Sequence, residues 1–564
     1  MTNKLPVNVE KGGAIAKGYC TPTADKAPQK MSVPPKRVIP IIFIPGIMGS
    51  NLRMSSASQA ALRKSNNISW RPDDISEGAD MINASPANRQ VQLDPEHTEL
   101  DIYHPKAPTG DLDESPNARH VVPEINVYLR VDGDTPLLTD ELPRPGVRIM
   151  KETKARLRGW AEIYFGSYRK ILEECEQHLN SVEPFVPYGY WTQIAGVDPS
   201  TWSALSSNNL QAISYDDCKN ALAGCWYPVH AMGYNWLESN RVSGMRTAKR
   251  MRELIAKYRS DGYQCEKVII VTHSMGGLVA RALIHPEMGG LESEVLGIVH
   301  GAMPAIGAPA AYKRMRCGFE DGLFAVSPKV LGNYGNEVTA VLGNSVGGME
   351  LLPSNAYGNH WLEIRQNKKL LKSLPANGDP YTEIYLLQGK WYGLLRAEWL
   401  NPARSSISGI NNSLRLLEKA KNFHLAINST YHNSSYATYS AEATRPSWEK
   451  IVWNIDDDFN KKDWDELAIL NDNRRGKFTL RDPNSSKNDK VASVSLGAST
   501  GPGDQTVPLR SAEHQLHSRK FKGIFRQVGY EHQNSYSDNN VLKATLYSIV
   551  RLVETMTWCG NEKK

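Results

Sequence analysis

The stretch VIIVTHSMGGLVARALI, residues 268–284, joins three local patterns. VIIV is a run of β-branched residues, which is typical of a strand buried on both faces. Gly276 and Gly277 follow Ser274 and permit a tight turn, and LVARALI continues as an apolar helix. The stretch therefore predicts a strand, a sharp turn that presents Ser274, and a helix, which together form part of a parallel βαβ unit.

Other parts of the chain repeat this alternation of strands and helices. Apolar runs predict strands within residues 37–52, 295–304 and 382–390. Helical spacing of apolar residues predicts helices over 157–179 and 244–262, the second closed by Gly262. This alternation predicts an α/β fold with a mostly parallel central sheet flanked by helices.

Long polar or turn-rich segments interrupt the pattern and predict insertions into one large domain. The chain has 564 residues, which is more than a single simple core usually needs. The expected organisation is a loose N-terminal segment (1–36), a core (37–304) with an insertion at about 53–150, a cap or lid (305–375), a core strand (376–390), a second cap (391–490) and the rest of the core (491–564).

Charge and cysteine usage exclude several classes of protein. The formal net charge is only +6 and no long basic run occurs, so nucleic acid is not an expected partner. The seven cysteines show no CxxC spacing, which argues against a zinc site, and we expect neither a metal nor a cofactor. The N-terminal stretch lacks the apolar segment of a secretory signal, so we expect synthesis in the cytoplasm.

Two serines compete for the role of nucleophile. GNSVGG at 343–348 fits the pattern GxSxG letter for letter, whereas Ser274 has Thr272 in place of the first glycine. A nucleophile elbow needs a strand before the serine and a helix after it. Ser274 has both, while the segment before Ser345 is less uniformly apolar and Pro353 ends any helix soon after it. We therefore predict Ser274 as the nucleophile.

A serine hydroxyl needs a histidine to take its proton, and the histidine needs a carboxylate to orient it. In α/β-hydrolases these follow in the order Ser, Asp, His. Asp504 lies in a loop rich in Gly and Pro, and His532 follows a short predicted strand. His514 and His517 are alternatives that lie in a predicted surface helix.

Acyl transfer also requires backbone N–H donors for the oxyanion. The amide of Met275, directly after the nucleophile, is one predicted donor. The second is expected in PGIMGS after the first strand, with Ile47 favoured and Met48 as the alternative.

Six motifs spread over about residues 37–550 resemble one group of enzymes. They are IFIPGIMGSNL, GYNW, VTHSMGGLVAR, a lid region that ends in LLPS, GDQTVP and HQNSYSD. The set resembles the α/β-hydrolases related to lecithin:cholesterol acyltransferase and to the inositol deacylases of glycosylphosphatidylinositol anchors. Within that group, the size and the long insertions are most similar to bacterial lipase effectors of type VI secretion.

The resemblance implies site residues as well as a fold. It places the nucleophile at Ser274, the acid at Asp504 and the base at His532. The sequence departs from the group at Thr272, where Gly is usual, and at Gln505, where GDGTVP is the commoner form. Both departures concern the fine geometry of the turns.

These observations predict a serine esterase that hydrolyses acyl esters of membrane lipids, with phospholipids as the expected substrates. The resemblance further implies a secretion-tip protein and a cognate immunity protein as partners, and delivery into the periplasm of a target cell. The alternatives are an intracellular esterase or acyltransferase, and a catalytically silent hydrolase fold that serves as a binding protein.

Overall fold

The structure is a computed structural model, and it describes most of the chain. Side chains are described for residues 35–106, 114–127, 150–180, 190–320, 329–330, 332–456, 463–484 and 491–559. The backbone alone is described for the strands Val7–Glu10, Gly13–Gly18, Gln29–Val33, Glu141–Arg144 and Val147–Ile149.

A six-stranded sheet forms the centre of the molecule. Its strands are β1 (Ile41–Ile44), β2 (Val229–Ala231), β3 (Val268–His273), β4 (Val295–Gly301), β5 (Ser435–Ser440) and β6 (Phe521–Gln527). Their spatial order is β2-β1-β3-β4-β5-β6, and every neighbouring pair is parallel. The carboxyl ends of all six strands therefore meet at one edge of the sheet.

Helices cover both faces of this sheet. The helices used below are α1 (Phe165–Leu179), α2 (Asn240–Ser260), α3 (Gly276–Ile284), α4 (Val346–Met349), α5 (Ile410–Ile427) and α6 (Asn539–Glu554). In β1, Ile41 and Phe43 face a core that contains residues of α1 and α6. Ile42 and Ile44 face the opposite core, which contains residues of α2 and α3. Both faces of the sheet are thus buried, as the apolar runs predict.

This architecture is the α/β-hydrolase fold, which confirms the predicted fold class. The remaining described helices are short and belong to loops and insertions. They are Ser56–Leu62, Ile75–Asn83, Pro86–Gln92, Pro116–Arg119, Lys151–Leu157, Tyr215–Leu222, Pro309–Cys317, Gly335–Leu342, Ala397–Leu400 and Leu509–Glu513.

A second six-stranded sheet lies outside the central one. In spatial order its strands are Lys369–Leu374, Leu362–Gln366, Ile451–Ile455, Ala492–Leu496, Lys477–Arg481 and Ala468–Asp472. The smaller sheets contain Arg37–Val38, Cys225–Trp226 and Gln264–Cys265; Leu52–Met54, Ile68–Trp70 and Thr98–Leu100; and Glu442–Ser447 with Gly501–Gly503.

The prediction of a core strand within residues 376–390 is wrong. Residues Tyr381–Tyr385 form a single π-helical turn, and the side chain of Asp379 accepts a hydrogen bond from the N–H of Tyr381 at its start. The strand that completes the central sheet at this point is β5, which lies inside the predicted second cap. Its sequence, SYATYS, has no aliphatic run, so hydropathy alone did not indicate a buried strand.

The N-terminal segment also differs from expectation. Residues 1–36, expected to be loose, include the three antiparallel strands Val7–Glu10, Gly13–Gly18 and Gln29–Val33. The other residues of 1–34 lie outside the described part of the chain. Parts of the predicted insertions at 53–150, 305–375 and 391–490 lie outside it as well.

Arg281 joins the helix after the elbow to the predicted cap. Its fully buried guanidinium donates hydrogen bonds to the carbonyl oxygens of Ile427 (2.6 Å) and Thr430 (3.0 Å), at and beyond the C-terminal end of α5. It also donates to the carbonyl of Ala305 (2.6 Å), and its cationic group lies 4.2 Å from the centre of the Tyr431 ring. Helix α3 and the end of α5 are therefore held together by one side chain.

Candidate active site

Ser274 stands at a sharp turn between β3 and α3. Its φ of +52° lies in the left-handed region, which is uncommon for a residue with a side chain. The N–H of Ser274 donates to the carbonyl of Gly301 at the end of β4 (2.8 Å), which fixes the turn against the sheet. This backbone conformation therefore directs the Ser274 side chain away from the strand axis, as expected for a nucleophile elbow.

Two glycines allow the neighbouring loop to pack against this turn. A Cβ on Gly276 would lie 2.5 Å from the carbonyl oxygens of Ile44 and Pro45. A Cβ on Gly46 would lie 3.0 Å from the Cβ of Ser274. The loop after β1 and the elbow are thus in contact, and any larger residue at Gly276 would separate them.

The structure brings Ser274, His532 and Asp504 into one hydrogen-bonded chain. His532 Nε2 lies 2.9 Å from Ser274 Oγ, and His532 Nδ1 lies 2.7 Å from Asp504 Oδ2. Because an ionised carboxylate only accepts, Nδ1 carries the proton and Nε2 offers its lone pair to the serine hydroxyl. All three residues are buried, with Ser274 5% exposed. This arrangement can transfer a proton from the serine to the imidazole.

The loop that holds Asp504 fixes its carboxylate on both sides. Oδ1 accepts hydrogen bonds from the N–H groups of Thr506 (3.0 Å) and Val507 (2.7 Å), while Oδ2 faces His532. Burial raises the pKa of Asp504, but the adjacent imidazole and the two N–H donors outweigh burial and lower the pKa below its ordinary value. The group therefore remains a carboxylate opposite His532.

The backbone conformation of Gln505 explains why glycine is common at this position in the group that the sequence resembles. Its φ is +73°, in the left-handed region that glycine adopts without strain. The loop keeps this conformation despite the glutamine. The departure from GDGT therefore leaves the geometry of Asp504 intact at a cost in backbone energy.

The departure at Thr272 is accommodated inside the sheet. Thr272 is fully buried opposite His300 of β4, and its Oγ1 lies 3.2 Å from His300 Nδ1. Burial lowers the pKa of His300 to about 3, so this histidine remains neutral. The larger side chain thus has a hydrogen-bond partner in the neighbouring strand.

The loop after β1 forms a turn beside Ser274. The N–H of Gly49 donates to the carbonyl of Gly46 (3.1 Å), so Ile47 and Met48 occupy the centre of the turn. Met48 has a φ of +61°, and its carbonyl accepts a hydrogen bond from Trp70 Nε1 (2.7 Å). Within the described residues, no hydrogen bond engages the N–H of Ile47, and the same holds for Met275 at the start of α3.

Sequence reasoning missed two buried residues beside the site, Tyr168 and His273. Tyr168 Oη lies 2.9 Å from His273 Nδ1, and His273 Nε2 lies 3.0 Å from the carbonyl oxygen of His532. His273 stood in the quoted stretch directly before Ser274, so a polar residue at the end of an otherwise apolar strand was the available signal. Nothing in the sequence of α1 singled out Tyr168.

The alternative candidates Ser345, His514 and His517 lie outside the hydrogen-bonded chain described above. Ser345 is fully buried at the start of α4, where its Oγ donates to the carbonyl of Leu237 (2.8 Å) and accepts from the N–H of Gly348 (3.2 Å). His514 and His517 lie in a 3-10 turn after the helix Leu509–Glu513, with their rings 5.1 Å apart. Among the described residues, Asp504 bonds to His532 and to neither of these histidines.

The residues that the structure describes contain neither a metal-binding cluster nor a membrane-spanning helix. No group of three or more His, Cys, Asp or Glu side chains is arranged there to hold a metal ion. No helix there combines the length and apolar character that crossing a membrane requires.

Three comparisons relate the chain to known proteins. Residues 245–349 match the PGAP1-like alpha/beta domain. The phospholipase A(1) LCAT3 of Arabidopsis thaliana is 27% identical over 156 residues, which are 24% of this chain and 34% of that protein. The chain therefore matches about a third of the length of this curated relative.

A solved structure matches over a much larger part of the chain. A chain in the crystal structure of a Tle4–Tli4 complex superposes with a TM-score of 0.71 and a sequence identity of 29%. The match covers 92% of this chain and 99% of that chain. Together the three matches confirm the resemblance that the sequence motifs predicted.

Proposed function

We propose that this protein is a serine esterase that hydrolyses acyl esters of membrane lipids, with phospholipids as its substrates. The observation that carries the proposal is the hydrogen-bonded chain from Ser274 through His532 to Asp504 at a strand-to-helix turn. The local match to a phospholipase A(1) supports lipid esters as the substrate class.

In the first half of the reaction, Ser274 Oγ attacks the ester carbonyl carbon and its proton passes to His532 Nε2. The negative charge that develops on the carbonyl oxygen faces the N–H groups of Met275 and Ile47. When the tetrahedral intermediate collapses, the bond to the alcohol oxygen breaks and that oxygen takes the proton from His532. The fatty acyl group remains on Ser274.

In the second half, water replaces the alcohol. His532 accepts a proton from the water as its oxygen attacks the acyl carbon, and returns that proton to Ser274 Oγ as the acyl bond breaks. A fatty acid leaves and the starting protonation is restored. Asp504 remains ionised and stabilises the imidazolium that forms twice in each cycle.

The test uses purified protein on vesicles of mixed phospholipids, with products identified by mass spectrometry. We expect free fatty acid and lysophospholipid from the wild type and neither from Ser274→Ala. Labelling by a fluorophosphonate probe separates the alternatives, because only an activated serine reacts. A folded wild type that neither labels nor releases fatty acid would identify the catalytically silent binding protein instead.

We also propose that the protein acts as an antibacterial effector of type VI secretion, delivered into the periplasm of a target cell. The support is the match over 92% of this chain to a chain crystallised as a Tle4–Tli4 complex. By this analogy a cognate immunity protein would bind the chain and restrain it, and a secretion-tip protein would carry it.

Growth of bacteria that express the protein tests this second proposal. Fused to a periplasmic signal peptide, the wild type should stop growth, while the Ser274→Ala fusion and the wild type without the signal should not. Equal growth of the two exported forms, with export verified, would favour an intracellular esterase or acyltransferase.

A further inference from the structure

Tyr168 and His273 connect two loops that must act together on one substrate. The N–H of Gly46 donates to Tyr168 Oη (3.2 Å), and Tyr168 Oη lies 2.9 Å from His273 Nδ1. His273 Nε2 lies 3.0 Å from the carbonyl oxygen of His532. The chain of hydrogen bonds thus runs from the residue before Ile47 to the backbone of His532.

Only one arrangement of protons gives each of these hydrogen bonds one donor and one acceptor. The carbonyl oxygen of His532 can only accept, so His273 Nε2 must carry a proton and Nδ1 must present its lone pair. Tyr168 then donates its hydroxyl proton to Nδ1 and accepts the N–H of Gly46 with a lone pair. Each donor is used and each direction is fixed, so the imidazole of His273 has a defined tautomer.

His273 also remains neutral when His532 gains a proton. Burial lowers the pKa of His273 to about 3, and the adjacent His532, whose ring centre is 4.9 Å away, lowers it as well. A neutral ring adds no positive charge beside the imidazolium that catalysis forms. His273 can therefore position His532 without opposing its protonation.

Helix α1 braces the same two loops with further contacts. At its start, the N–H of Tyr164 donates to the carbonyl of Gly49 (2.9 Å). One turn later, Ser167 Oγ donates to the carbonyl of Gln533 (3.3 Å) and accepts from Gln533 Nε2 (2.8 Å). One helix thus contacts both the turn that holds Ile47 and the turn that begins with His532.

We propose that Tyr168 and His273 are positioning residues that set the distance between the oxyanion donor at Ile47 and the imidazole of His532. This inference rests on the proposed esterase function. Both groups must lie correctly around Ser274 Oγ at the same moment, and small errors in such placement lower the rate strongly. Neither side chain is assigned a role in proton transfer.

The main test is Tyr168→Phe, which keeps the ring and removes the hydroxyl. We expect kcat to fall about 10- to 100-fold with KM within about twofold, because the chain acts on the groups that surround the reacting atoms and not on the lipid. Rates are divided by the number of sites that a fluorophosphonate titrates to completion, so a smaller folded fraction does not count as lower kcat.

His273 offers a graded second test. His273→Gln can still donate an N–H toward the carbonyl of His532, whereas His273→Phe cannot. We expect the Gln variant to retain at least about fivefold more of kcat per titrated site than the Phe variant. Equal kcat for the two variants would overturn the proposed role of the His273–His532 hydrogen bond.

Tyr227→Phe is the matched control. Tyr227 is fully buried, donates its hydroxyl proton to the carbonyl of Ala221 (3.2 Å) and precedes β2, at the edge of the sheet opposite Ser274. We expect its kcat per titrated site to equal that of the wild type. An active wild type with unchanged kcat in Tyr168→Phe would overturn this inference alone, whereas an inactive, unlabelled wild type would overturn the esterase function and the inference together.

Discussion

Ser274 and Ser345 both stand in glycine-rich turns, but the two turns differ in every property that catalysis requires. Ser274 has a left-handed backbone conformation (φ +52°), follows a buried strand and bonds to His532. Ser345 has an extended backbone (φ −120°), caps the short helix α4 and uses both hydrogen-bonding directions of its hydroxyl on backbone groups. The serine that fits GxSxG to the letter is thus a structural cap.

Several residues with a strained backbone lie around Ser274. Met48, Ser274, Ala302 and Gln505 all have positive φ, and each lies in a loop or turn at the carboxyl edge of the central sheet. Such conformations cost free energy and persist only where surrounding contacts enforce them. Around Ser345 the side chains instead satisfy the ends of helices, which is a stabilising role.

The largest expected effect separates the two serines directly. Ser274→Ala should lower kcat for ester hydrolysis by a factor of about 10⁴ or more and abolish fluorophosphonate labelling. Ser345→Ala should leave kcat within about twofold and lower the free energy of unfolding by about 1 kcal/mol, because it removes a helix cap. Paired kinetics and urea unfolding measure both, and an inactive, folded Ser345→Ala would reverse the comparison.

The next largest effect is expected on removal of His532, the histidine that is hydrogen-bonded to Ser274. His532→Ala should lower kcat about 10⁴-fold, because no other base lies within hydrogen-bonding distance of Ser274 Oγ in the described residues. His514→Ala and His517→Ala should remain within about twofold of the wild type. Initial rates on one soluble ester suffice, and loss in either control would reassign the base.

A smaller effect on stability tests the structural role of the Ser345 region. Glu350, directly after α4, is fully buried and accepts hydrogen bonds from Ser239 Oγ (2.6 Å) and the N–H of Asn240 (2.7 Å) at the start of α2. Burial raises the pKa of Glu350 from an ordinary 4.5 to about 8, against the opposing influence of these two donors.

The sign of the pH effect follows from this shift. Between pH 4.5 and about 8 the unfolded chain loses the Glu350 proton while the folded protein keeps it, so this group's contribution to stability declines as pH rises through that window. We expect Tm to fall more between pH 5 and pH 8 in the wild type than in Glu350→Gln. Parallel Tm curves for the two proteins would contradict the assignment.

The smallest effect probes the strain in the Ser274 region. Gln505 is exposed, and Gln505→Gly should raise the free energy of unfolding by about 0.5 to 1 kcal/mol, since relief of the left-handed strain exceeds the added flexibility of glycine. Gln505→Ala keeps the strain and should give no gain. Urea unfolding of the wild type and the two variants measures these differences in the free energy of unfolding. A stabilising Gln505→Ala would show that the side chain of Gln505, and not its backbone conformation, is responsible.

Local sequence predicted the elbow well because its signals are local. A β-branched run, a serine and two glycines define β3, the turn and the start of α3 within one stretch. Asp504 and His532 were predicted from chain order and from family resemblance, and the structure brings them together with Ser274. Their roles in catalysis stay predictions that the variants above test.

Other features depend on contacts that a sequence window does not contain. β5 is recognisable only from its pairing with β4 and β6, because its sequence has no aliphatic run and its tyrosines are buried in the cores on the two faces of the sheet. Tyr168 is distant in sequence from both His273 and Gly46, so only the folded chain reveals that they meet. The apolar run at 382–390 does not form a strand, because Tyr381–Tyr385 fold into a helical turn.

The buried guanidinium of Arg281 restricts how the predicted cap can move. Lifting the C-terminal end of α5 away from α3 would leave a cation in the interior without the carbonyl groups that now surround it, which is costly. That end is therefore expected to stay fixed against α3 in any movement of the predicted cap. Hydrogen exchange tests this directly: amides near Ile427 should be as well protected as those near Leu417 in the middle of α5, whereas faster exchange near Ile427 would show that this end is not held.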